Sequence, residues 1–93
     1  MTNLASRQRL RPRDEHLAAI ATDSSIEPNA RLLYLALVTS GIAMVTPDTA
    51  AALMGWARMR AVRAASVLTH RGLITREQVP VMGGMEIRYT VNS

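Results

Sequence analysis

The sequence predicts a mainly helical α+β domain that ends in a small β-hairpin, on three observations. Residues 46–74, TPDTAAALMGWARMRAVRAASVLTHRGLI, read as two helices joined by a tight turn at Gly55. After them the period changes: Met85, Ile87, Tyr89 and Val91 alternate with Glu86, Arg88 and Thr90, the pattern of a half-buried strand. Ninety-three residues, 48% of them hydrophobic, make one domain with a modest core. Only 3% are aromatic, so that core is built from Leu, Ile, Val, Met and Ala, with Tyr34, Trp56 and Tyr89 as larger anchors.

Residues 1–13 hold Ser, Asn, Gln, Pro12 and alternating arginines, with Leu4 and Leu10 the only aliphatic side chains larger than alanine behind Met1, and read as a flexible basic arm. Residues 14–93 read as the folded domain. Over 14–22 a short helix is expected, with Asp14 and Glu15 at the positive end of its dipole and Leu17, Ile20 and Ala21 as its apolar stripe. Asp23-Ser24-Ser25 breaks it. Pro28 then suits the first turn of a longer helix, where its missing N–H costs nothing, and Gly41 stops that helix after Ser40. Leu32, Leu33, Leu35, Ala36, Leu37 and Val38 cover most of its circumference. Such a helix is central in the domain, or shares a face with a second copy of the chain.

Residues 42–45 are expected as a short strand. Thr46-Pro47-Asp48 starts the next helix, over 47–54: a hydroxyl cap, proline at the first position, then a carboxylate near the dipole's positive end. Gly55 ends it without strain. A further helix spans 58–71. At about 100° per residue, Ala61, Ala64, Ala65 and Leu68 gather on one side and Met59, Arg63, Ser66 and His70 on the other. Three alanines among four inward residues let this helix approach its neighbour closely. Gly72 closes it. Residues 73–79 are the expected partner of the last strand, with Pro80 and Gly83-Gly84 in the connection.

The formal charge is +4 and all eleven basic residues are arginine. Two blocks carry the excess. Arg7, Arg9, Arg11 and Arg13 precede any acid, and Arg58, Arg60, Arg63 and Arg71 fall between Asp48 and Glu77 with no acid among them. Solubility charge is usually interspersed, so blocks of one sign favour a polyanionic partner. The absence of cysteine excludes a disulfide scaffold, a thiolate metal site and a cysteine nucleophile. His16 and His70 have no acid or second histidine at ligand spacing, so no metal is expected, and each is read as a solvent-exposed imidazole. No nucleophile–base pair, paired carboxylates or glycine-rich phosphate loop is present, and neither catalysis nor a cofactor is expected. The apolar run 32–38 is too short for a membrane span and no secretory signal is evident, so a cytoplasmic protein is expected.

Helix, turn, basic helix and amphipathic hairpin in this order resemble the winged-helix (winged helix-turn-helix) superfamily over roughly residues 28–92. Leu53-Met54-Gly55 at the turn and Arg71-Gly72-Leu73-Ile74 leading into the wing carry the likeness. Within the superfamily the chain looks closest to small plasmid, phage and actinobacterial regulator modules. Ala57 stands where Ser or Thr usually caps the second helix, and Trp56 where a smaller aliphatic is usual. The resemblance implies that helix 58–71 enters the major groove of double-stranded DNA. Arg60 and Arg63 are the first choices for guanine edges, and Met59 and Ser66 for a thymine methyl or a polar edge. Arg58 and Arg71 at the helix ends would hold phosphates, and His70 could meet one. Thr46 is either a helix cap alone or also a phosphate site through nearby backbone N–H groups. In the wing, Arg76 and Arg88 are offset by Glu77 and Glu86. The arm either follows the DNA backbone or a narrow minor groove, or is a leader without function.

These readings converge on a small sequence-specific transcriptional regulator, acting as a homodimer on a pseudo-palindromic site, with no small-molecule substrate. The alternative is a winged-helix adaptor for protein interaction in a replication, partition or regulatory complex. It is favoured by the apolar helix 28–40 and the weakly charged wing. RNA binding ranks third, because the chain lacks exposed aromatics for stacking.

Overall fold

Proline at a first helical position and glycine just past a last one mark most of the element limits. The computed structural model describes residues 12–92. They form α1 (Pro12–Thr22), α2 (Pro28–Thr39), β1 (Met44–Val45), α3 (Pro47–Met54), α4 (Arg58–His70), β2 (Ile74–Val81) and β3 (Gly84–Val91). This is an α+β fold of four helices and a three-stranded antiparallel sheet, arranged in a winged-helix-like order. Most of the expected arm, with Arg7, Arg9 and Arg11, lies outside the described residues.

Helix α1 begins two residues earlier than expected, at Pro12, so Arg13 stands on a helix. Its Nη2 donates to the Val38 carbonyl at 2.8 Å. Among the residues of α1 whose burial is described, Ile20 alone is buried and Leu17 and Ala21 are half-buried, so this helix rests lightly on the rest. His16 departs from the expectation of an idle imidazole. Its Nε2 lies 3.0 Å from the Tyr34 hydroxyl, because a tyrosine buried to 3% exposure needs a partner for its one polar atom.

Helix α2 is capped by Glu27, whose carboxylate accepts from the Ala30 N–H at 3.1 Å. It buries Ala30, Leu33, Tyr34 and Leu37, the face that i, i+3, i+4, i+7 spacing selects. Its apolar coat is not buried all round: Leu32 is 53% exposed, and Leu35, Ala36 and Val38 are half-buried. The helix is thus central on one face and open on another.

The limits of α3 are those expected. Thr46 Oγ1 accepts from the Thr49 N–H at 3.2 Å, and Gly55 takes φ 68°, a left-handed turn that a side chain would oppose. Ala57 precedes α4 with no side-chain cap. On α4 the four inward residues are all buried: Ala61, Ala64, Ala65 and Leu68. They pack into a core with Leu33, Leu37, Ile74 and Tyr89.

The sheet order is β1-β3-β2, with the short β1 on the inner hairpin strand. Pro80 was expected in the connection but lies within β2, opposite Met85. It is tolerated because β2 is an edge strand, where a missing N–H need not cost a ladder bond. The turn contracts to Met82-Gly83 between the paired Val81 and Gly84. The expected alternation is clear only at Tyr89, which is buried between half-buried Arg88 and Thr90; Ile87 and Val91 are no more than half-buried, and Met85, nearer the tip, is 59% exposed.

Candidate nucleic-acid interface

The alanine underside of α4 decides what its other faces present. With Ala61, Ala64, Ala65 and Leu68 turned inward, Met59, Arg63, Ser66 and His70 form an exposed row along the outer face. The two flanks of the helix meet different neighbours. On one, Arg60, Arg63 and Val67 border a cavity of about 350 Å³ shared with Glu27 and Asn29 at the start of α2. On the other, Val62, Ser66, Thr69 and His70 border a notch of about 160 Å³ closed by Arg76 and Tyr89 of the hairpin.

The arginines divide into bound and unbound groups. Arg58 Nε sits 3.1 Å from Asp48 Oδ1, across the turn. Arg71 reaches back to the α1–α2 loop, bonded to the Ser25 hydroxyl and 3.8 Å from Asp23 Oδ2. Arg88 Nε lies 2.7 Å from Glu86 Oε2. Arg60 stacks over Trp56, its guanidinium carbon 5.7 Å from the ring centroid. Trp56 packs against the core but is only half-buried, so it anchors the core less fully than the buried Tyr34 and Tyr89. Among the described residues, no carboxylate oxygen lies within 4.0 Å of a nitrogen of Arg60, Arg63 or Arg76.

Strand register separates the two hairpin arginines. Arg76 pairs with Tyr89, and directly opposed residues share a face, so Arg76 stands on the side of the sheet that packs on α4. Arg88 pairs with Glu77 on the opposite face. Of the residues singled out in the sequence, Met59, Arg63, Ser66 and His70 share the exposed outer face of α4, with Arg60 on one flank and Arg76 on the other. Arg58 borders that face, Arg71 is turned to the α1–α2 loop, and Arg88 stands apart. Thr46 acts as a cap, with its hydroxyl 2.7 Å from that of Thr49.

Tyr89 was read from the sequence only as a core anchor, yet it links these parts. Burial pushes its hydroxyl pKa up, and the positive charges of Arg76 and Arg58 oppose that shift. Arg76 lies beside this phenol in the notch against α4. Alternation marked Tyr89 as inward, but only the register places Arg76 beside it.

Asp23 gives a local test of the Arg71 tether. Its pKa is held below the ordinary aspartate value, first by the Ser25 hydroxyl and backbone N–H, against a desolvation effect that exceeds the further lowering by Arg71 or by Arg31. The stabilisation is therefore present above the ordinary value and is lost as pH falls through the lowered one. In an NMR titration of the Asp23 carboxyl, Ser25→Ala is expected to raise the midpoint more than Arg71→Ala. A midpoint moved by neither would show that the loop does not hold Arg71 in solution.

Residues 14–93 contain seven arginines and seven acidic residues, so the excess of +4 resides in Arg7, Arg9, Arg11 and Arg13. Residues 14–93 are thus neutral overall, and Arg13 on α1 leaves the described fold with one excess positive charge. Along α4, Arg60 and Arg63 stand outside the described ion pairs, while Arg58 is engaged by Asp48. Among the described residues, no three potential metal ligands cluster and no helix is long and apolar enough to cross a membrane.

Fold and site together define a helix–turn–helix with an attached hairpin that exposes a basic helix. A "possible transcriptional regulator" from Methanosarcina mazei Go1 has a similar fold, with a TM-score of 0.62 at 13% identity over 90% of this chain and 68% of that one. No protein-family profile and no curated protein sequence matches the chain.

Proposed function

We propose that this chain is a winged-helix transcriptional regulator that binds double-stranded DNA sequence-specifically, with α4 in the major groove. The observation that carries the reading is the exposed row Met59, Arg63, Ser66 and His70 above a fully buried alanine underside. A helix seated this closely on its scaffold is rigid and projects its outer face. Arg63 and Arg60 take guanine edges, since the planar guanidinium meets O6 and N7 together. Met59 and Ser66 read neighbouring positions. Arg76, and Arg58 after exchanging Asp48 for phosphate, hold the backbone on the wing side, and His70 meets a phosphate at the far end. Arg71 and Arg88, each already paired within the protein, contribute less than their charge suggests. Thr46 and its neighbours offer backbone N–H groups to a second phosphate. The chain acts in the cytoplasm without catalysis or a cofactor, by occupying an operator or origin.

A homodimer is part of this reading. Leu32 and Leu35 lie on the open side of α2 and offer an apolar seam for a second copy, and a dimer of this kind reads two half-sites about 34–36 Å apart. A second reading, a protein-interaction adaptor, is favoured by the exposed Leu32 together with Val81, Met82 and Met85 at the hairpin tip.

Binding to a mixed-sequence duplex across a salt series separates the two. A DNA binder loses affinity steeply, with log K falling by about 0.9 per phosphate neutralised for each tenfold rise in salt. A flat response, or no binding at low salt, would leave the adaptor reading.

A further inference from the structure

Away from α4, a groove runs between α1, the C-terminal half of α2 and the end of β3. It consists of two adjoining cavities of about 360 and 300 Å³ that share Arg13, Val38 and Val91. Each falls near the lower end of the usual range for small-molecule sites. Leu17, Val38, Ile42 and Val91 form its apolar walls, and all four are half-buried: the core has not closed over them. Tyr34 and His16, bonded to each other, and Asn92 supply polar groups at one end.

The charge in this groove is one-sided. Arg13 is the one arginine lining either cavity, and no carboxylate lines them, although Asp14 and Glu15 are its chain neighbours. Among the described residues Arg13 has no acidic partner, and its one hydrogen bond, to Val38 O, uses one of five N–H donors. A guanidinium over an elongated apolar floor selects an anion with an apolar body. We infer that this groove binds an amphipathic carboxylate, its head on Arg13 and its acyl chain along Val38 and Val91. The ligand is bound and not turned over, so the expectation of no small-molecule substrate stands untouched, and the inference does not depend on the DNA-binding reading.

Isothermal titration of the full chain with octanoate and with octan-1-ol tests it. Octanoate is expected to bind with saturable one-to-one heat, about tenfold more tightly than the alcohol, as one charge-assisted hydrogen bond would give. Arg13→Gln, which keeps a donor for Val38 O, is expected to abolish that preference and leave alcohol binding unchanged. Leu17→Trp, which fills the groove, is expected to abolish both, with circular dichroism confirming that each variant is folded. Equal affinity for acid and alcohol in the unaltered chain, absence of saturable heat, or octanoate binding that survives Leu17→Trp in the folded variant would overturn the assignment.

Discussion

Leu68→Ala is expected to lower the stability of the domain by about 2–5 kcal/mol, read as a reduced urea midpoint at unchanged slope. Leu68 is wholly inaccessible to solvent and is the one large side chain on the inward face of α4. Its three companions, Ala61, Ala64 and Ala65, have no bulk with which to fill the space it would leave. The cavity term therefore adds to the transfer term with little relief. A loss of this size is a large fraction of what a small domain possesses. The same change at Met59, which is 56% exposed on the outer face, is expected to stay within about 0.5 kcal/mol. Equal losses at the two positions would mean that α4 is not seated by its alanine side.

Arg63→Ala carries the largest expected effect on binding: a loss of about 1–3 kcal/mol on the cognate duplex, with relaxed preference at one base pair. Arg63 lies on the exposed row of α4, and among the described residues no carboxylate oxygen stands within ion-pair distance of it. Removing it leaves the stability of the fold nearly unchanged, so the binding loss reads on contact alone. Arg88→Ala is the matched control. It removes the same charge from the opposite face of the hairpin, where Glu86 already engages it, and affinity is expected to stay close to that of the unaltered chain. Competition between cognate and random duplexes checks both variants. Equal weakening on the two DNAs would assign Arg63 to a phosphate.

Helix limits and the seating of α4 were legible in the sequence because local rules decide them. A hydroxyl before Pro47, a glycine where the chain must turn left-handed, and four small or apolar residues at helical spacing leave little room for another outcome. What local rules do not carry is the partner of each arginine. Arg58 and Asp48 are ten positions apart, and Arg71 meets a loop more than forty positions earlier. Those pairings exist because α3 crosses α4 and the α1–α2 loop folds under its C-terminal end. Arg88 with Glu86 was closer to readable, since alternate residues of a strand share a face. Pro80 was misplaced for a related reason: whether a strand tolerates proline depends on its being at an edge, and strand order is a tertiary property. His16 looked idle because its partner, Tyr34, sits on another helix.

The central claim concerns one helix face, and backbone amide shifts report on it most directly. A duplex chosen by selection from random sequence would be titrated into the 15N-labelled chain. The account predicts that the largest shift changes fall at Met59, Arg60, Arg63, Ser66 and His70, with smaller ones near Arg76, and that Leu32 and Arg88 move little. Changes concentrated at Leu32 and the hairpin tip, with the outer face of α4 unperturbed, would contradict it.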